Sequence, residues 1–114
     1  MKNQNILVVA AHPDDEVIGC GGFIAKQTQN GYPVHIVFMS NGVSSRELGD
    51  HKKLLNLILQ RKENAIKASK ILGAKSTKFL DFPDNSMDSV PLLNVAKELE
   101  KVVRKLNPSI IITH

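Results

Sequence analysis

Four short strand-like runs, three of them rich in Ile and Val, alternate with three amphipathic stretches along 114 residues. That alternation predicts an α/β fold, a Rossmann-like three-layer α/β/α arrangement around a mainly parallel sheet. The apolar runs are continuous rather than alternating, as expected when helices cover both faces of a parallel sheet. Right-handed crossovers in the order β-α-β-α-β-α-β then bring the carboxyl ends of all the strands to one rim, where ligand sites of such sheets lie.

The first run, Ile6 to Ala11, is short and apolar and reads as a strand buried on both faces. Val17, Gly21, Ile24, Ala25 and Thr28 then share one helical face, and Asn30-Gly31 stops that helix. VHIVFMS, residues 34–40, is a second strand closed by the turn pair Asn41-Gly42. Residues 43–53 are polar and irregular and read as a loop. From Leu54, the positions Ile58, Arg61, Ala65, Ala68 and Leu72 recur at steps of three and four, a long helix with Gly73 as its stop. STKFLDF, residues 76–82, is a third strand followed by the loop FPDNSMDS. Leu92, Val95, Ala96, Leu99, Val102, Val103 and Leu106 mark an amphipathic helix, capped by Asp88 or Ser89 and ended by Asn107-Pro108. Ser109 to Thr113, SIIIT, is expected to be a fourth buried strand.

Composition narrows the function classes. Fifteen basic and eleven acidic residues give a net charge of +4, but the lysines are spread over helix faces. One Tyr and no Trp offer no stacking platform for bases, so a nucleic-acid partner is not expected. The single cysteine, Cys20, permits no internal disulfide and reads as a small packed residue. The apolar run Ile6 to Ala11 is too short for a signal-peptide core, and no run has the length of a membrane span. A soluble cytoplasmic protein is the expectation. His35 and His51 show no partner pattern and read as ordinary strand or surface residues.

The chemistry concentrates in AAHPDDEVIGCGG, residues 10–22. A dinucleotide site would place its glycines directly after the strand to cradle a pyrophosphate. Here Gly19, Gly21 and Gly22 come late, behind Asp14, Asp15 and Glu16, which would repel phosphate. Pro13 suits a first helical turn. His12 and Asp15, three apart across that turn, can converge on one cation, and an imidazole with a carboxylate suits zinc or another first-row divalent ion. Asp14 points elsewhere and can accept a proton from a water held by that cation, whose pKa falls from about 15.7 toward about 7. The alternative is that the three acids merely favour the helix dipole and His12 is a strand-end residue.

Ala11-His12-Pro13-Asp14-Asp15-Glu16, on a strand-to-helix turn before a glycine cluster, resembles the opening motif of the LmbE-like, or PIG-L, deacetylase family. Further segments match in order and spacing: Ser40-Asn41-Gly42, the neighbourhood Arg61-Lys62-Glu63, Ala65, Ala68 and Leu72-Gly73 of the long helix, Phe79 to Asp84, and Pro108 to His114. The resemblance implies a zinc-dependent hydrolase that removes acetyl from an N-acetylglucosamine-type sugar or glycoconjugate. It implies His12 and Asp15 as metal ligands, Asp14 as the general base, and Arg61 and Asp84 on the substrate-binding rim. Without the resemblance, Arg61 could pair with a neighbouring acid and Asp84 could be a turn residue.

The sequence departs from that family at its end. The family's third metal ligand follows the fourth strand in an Asp-His motif, and this sequence stops at His114, which could substitute. A single domain over 1–114, truncated on its carboxyl side, is therefore expected, with an exposed sheet edge that favours a homo-oligomer or low stability. A non-catalytic remnant that binds a sugar or a protein is the competing reading, although a binder has no need of Asp14. A phosphoester hydrolase would want cations at the rim, and only Arg61 is a candidate there.

Overall fold

The structure, a computed structural model, describes residues 5–10, 15–40, 51–82 and 92–113, excepting the side chains of 15–20, 51, 81–82 and 92–93. Strand β1 (Ile6–Ala10), helix α1 (Asp15–Gln29), β2 (Val34–Ser40), α2 (His51–Leu72), β3 (Ser76–Phe82), α3 (Leu92–Leu106) and β4 (Ile110–Thr113) follow in the predicted order. The sheet is parallel throughout, in the order β3-β2-β1-β4. Helix α2 begins at His51, ahead of its apolar periodicity, because Lys52 and Lys53 continue the turn as an exposed extension.

The two-residue period of the strands sorts their side chains between two cores. Ile6, Val8 and Ala10 of β1 pack with Val34, Ile36 and Phe38 of β2 beneath Ile24 of α1 and Ala65 of α2. Leu7 and Val37 face the other way, beneath Val102, Val103 and Leu106 of α3. Helices α1 and α2 thus cover one face and α3 the other, which gives the three layers. Phe38 stacks on Phe79 of β3, with ring centroids 5.1 Å apart.

Strand β4 differs from its expectation as a buried strand. Ile110 is 43% exposed and Ile111 51% exposed, on opposite faces of the sheet. Among the described residues β4 pairs only with β1. The helices lie over the central strands, so an edge strand keeps little cover even where its sequence is wholly apolar.

All three helices stop by passing through a left-handed residue. Gly31 and Gly73 both have φ 87°, and Asn107 has φ 46°. At α2, Gly73 N–H donates to Lys70 O and Ala74 N–H to Ser69 O, the paired bonds of a Schellman end. Gly31 and Tyr32 repeat that pattern on Thr28 and Gln27 at the end of α1. Gly73 is doubly constrained: a Cβ there would lie 2.8 Å from Thr28 Oγ1, which itself donates to Leu72 O at 2.7 Å. The approach of α2 to α1 therefore depends on the absence of that one atom.

The amino ends of the strands are tied by a polar network around His35, where the sequence offered no partner pattern. Asn5 Nδ2 donates to Leu106 O at 2.8 Å, which turns Asn5 Oδ1 toward His35 Nε2 at 3.4 Å. Oδ1 only accepts, so Nε2 carries the ring proton, and Ser76 Oγ donates to Nδ1 at 2.6 Å. Burial, and then the charge of Lys75, hold the His35 pKa below its ordinary value of 6.5. The neutral ring is therefore the folded form. This contribution to stability is complete above the unfolded pKa and is lost as pH falls through it toward the lowered folded value. Thermal melts at about pH 7.5 and about pH 5.5 should show a smaller acid-induced loss for His35→Asn than for the native chain. Equal losses would show that His35 titrates alike in the folded and unfolded states, so that its burial contributes no pH dependence.

Candidate active site at the carboxyl rim

The strand order locates the site. The chain steps outward from β1 to β2 to β3, then returns to place β4 on the other side of β1. The order reverses between β1 and β4, and in open α/β sheets that reversal opens the ligand crevice at the carboxyl ends. Ala10, wholly buried, fixes where the chain leaves β1, and α1 begins five residues later at Asp15. The segment that carries His12 and Asp14 spans that gap and lies outside the described residues. Asp15 is the first residue of α1, where the unpaired N–H groups and the helix dipole favour a carboxylate.

The other strands deliver to the same rim. Ser40, fully buried, ends β2, and Thr113 ends β4 beside the Val9 register of β1. His114 follows Thr113, and Asp84 follows the end of β3 at Phe82; both lie outside the described residues. Among the described residues, no group of three His, Cys, Asp or Glu side chains could hold a metal ion.

Arg61 is the predicted site residue whose side chain is described. Helix α2 descends from the rim between β2 and β3, and Ala65, one turn below Arg61, is buried against the core. The next residue, Lys62, leans toward β3, with Nζ 5.4 Å from the Phe79 ring centroid. Arg61 is about 100° around the helix from Lys62, so it does not share that side of α2. Its Nε is buried and has no hydrogen-bond partner among the described residues. A guanidinium nitrogen taken from water without a partner is costly, and such groups in folded proteins mark an acceptor that completes them.

The donor types in the sequence between β1 and the first turn of α1, an imidazole and carboxylates, suit a divalent metal. That stretch does not fit a pyrophosphate, since the helix start that would receive one is occupied by Asp14, Asp15 and Glu16.

Residues 7–114 match the PIG-L family, described as GlcNAc-PI de-N-acetylase. The chain belongs to this family. Among PIG-L relatives, diacetylchitobiose deacetylase of Thermococcus kodakarensis is 33% identical over 112 residues, covering 96% of this chain and 40% of that protein. A probable N-acetyl-α-D-glucosaminyl L-malate deacetylase 2 of Bacillus cereus is 32% identical over 114 residues, covering 96% of this chain and 51% of that protein. The crystal structure of GalB, the 4-carboxy-2-hydroxymuconate hydratase of Pseudomonas putida KT2440, superposes with a TM-score of 0.81 at 31% identity. That superposition covers 97% of this chain and 47% of GalB. The chain thus spans about half the length of the relatives it matches, and the part it spans holds the β1-to-α1 turn of the expected PIG-L motif.

Proposed function

We propose that this chain supplies the water-activating part of a metal-dependent N-deacetylase acting on N-acetylglucosamine-type sugars. The observation that supports the reading is the reversal of strand order between β1 and β4, beside the strand end from which the chain passes to α1. The buried, unpartnered Nε of Arg61 on α2 adds to it. The chemistry of the two deacetylase relatives supports the same substrate class.

In this reading His12 and Asp15 hold zinc or a similar first-row ion, and His114 is a candidate for the third protein ligand that catalytic zinc sites usually have. Bound there, the ion would supply Lewis acidity that polarises the amide carbonyl and makes water a nucleophile near neutral pH. Asp14 takes a proton from the attacking water. The water oxygen bonds to the acetyl carbon, the C–N bond of the acetamide breaks, and the departing nitrogen takes up the proton that Asp14 received, giving acetate and the free amine. Arg61 donates to the sugar's oxygens, which satisfies its Nε, and Asp84 accepts from the hydroxyls. The enclosing protein is expected to be soluble and cytoplasmic; no helix among the described residues is long and apolar enough to cross a membrane.

GalB favours one alternative, hydration of an unsaturated carboxylic acid, because it superposes on this chain with a TM-score of 0.81 at 31% identity. Arg61 would then pair with a substrate carboxylate. The two readings separate in one assay series with zinc present. Acetate release from N-acetylglucosamine or diacetylchitobiose, without loss of ultraviolet absorbance from 4-carboxy-2-hydroxymuconate, is the expected outcome. The reverse pattern would assign the hydratase. Inactivity on both, with sugar binding intact, would assign a binding module.

A further inference from the structure

The chain's basic charge is concentrated on one helix. Helix α2 carries six basic residues (Lys52, Lys53, Arg61, Lys62, Lys67 and Lys70) against the single acid Glu63, a net +5, whereas the whole chain is +4. The same helix leaves apolar side chains in water: Leu55 is 47% exposed, Leu59 60% and Ile66 38%. At about 100° per residue these three fall within one narrow stripe along the helix, on the flank toward β3. Lys62 stands on one side of the stripe and Lys52 and Lys70 on the other.

We propose that α2 docks onto an anionic phospholipid surface, with Leu55, Leu59 and Ile66 entering the interface and the neighbouring lysines meeting the headgroup phosphates. Basic side chains flanking an apolar stripe are what such a surface selects, because long lysine stems reach the headgroups while the stripe buries itself. A second copy of the chain fits less well, since two α2 helices face to face would bring like charges together. An acidic helix fits less well because a helical seam needs an apolar residue at each turn. Here the seam is broken at Lys62, whose ammonium is drawn over Phe79. Nucleic acid has no use for the leucines, and α2 has no aromatic side chain to stack on bases.

The test is sedimentation of the 114-residue chain with phosphatidylglycerol vesicles and, separately, with phosphatidylcholine vesicles. Binding to the first and not the second, weakening as salt is added, is expected. Lys52→Gln with Lys70→Gln should weaken it on the order of thirtyfold, the loss of two basic contacts to an anionic surface. Leu55→Gln with Leu59→Gln and Ile66→Gln should abolish it even at low salt, at a temperature where circular dichroism shows the variant still folded. Equal binding to both lipids, or to neither, overturns the proposal. So does binding that survives the triple replacement, which would be basic attraction without docking. A dimer seen by light scattering that the triple replacement dissolves would assign the stripe to a second copy. Tight capture of a Glu-rich amphipathic peptide, with no vesicle binding, would assign it to a protein.

Discussion

Asp14→Asn is expected to lower the rate of acetyl release by roughly 10²–10⁴-fold, the usual contribution of a positioned general base. The amide keeps the size and hydrogen-bonding reach of the carboxylate but cannot take up a proton. Metal content, measured by elemental analysis after dialysis, should be unchanged, because the proposed reading gives the ligand roles to His12 and Asp15. Asp15→Asn should lose both metal and activity. The pair of measurements separates the two acids: loss of metal in Asp14→Asn would make Asp14 a ligand, and an unchanged rate would remove it from the chemistry. Asp15 opens α1 at the rim of β1, so its replacement also removes a carboxylate from the helix start. Its effect on the melt is expected to be small, a few tenths to about 1 kcal/mol.

The largest loss of stability is expected at Phe38. It is the largest of the fully buried side chains, stacked on Phe79 in the core shared by α1 and α2. Truncating a buried Phe to Ala costs about 3–5 kcal/mol, and a whole domain is held by only about 5–15 kcal/mol. Phe38→Ala should therefore move the urea midpoint by most of its range, or leave the chain unfolded at room temperature. Phe38→Leu, which keeps most of the volume, should cost less than half as much. A midpoint in Phe38→Ala close to that of the native chain would mean that the core closes over the cavity. Phe38 is two residues below Ser40 at the rim, so the variant would also loosen the end of β2 that faces the site.

Much of this architecture is legible in the sequence because its signals are local. The helix stops Gly31, Gly73 and Asn107 announce themselves through the residue types that tolerate left-handed backbone, and all three end helices as read. The bounds of β2 and β3 follow from apolar runs set between turn residues. The exposure of Ile110 and Ile111 was not legible, because an apolar run does not say whether its strand is central or at an edge. That depends on strand order, a global property. His35 was missed for the same reason: its partners Asn5 and Ser76 come from distant parts of the chain, joined only when β1, β2 and β3 align. For the site, the residue types from His12 to Asp15 suggested chemistry in the sequence, and the fold adds that β1 ends and α1 begins beside the order reversal. Arg61 was readable only by resemblance, since within its own helix it looks like one more basic residue. Its unpartnered Nε emerges only once the helix is packed.

The strand order also dictates when the sheet can be finished. β2 and β3 reach their neighbours across single crossovers, but β1 meets its other neighbour at the far end of the chain. Asn5 and Ser109, hydrogen-bonded where β1 and β4 begin, are 104 residues apart. Closing so long a loop is slow compared with local pairing, and contacts of such separation form late. On a ribosome, β1 would thus wait with one side unpaired until β4 emerges. During that interval the Ile6–Ala10 edge is the part of the nascent chain most open to mispairing, and the speed with which Ile110–Thr113 arrives governs how much of the product folds.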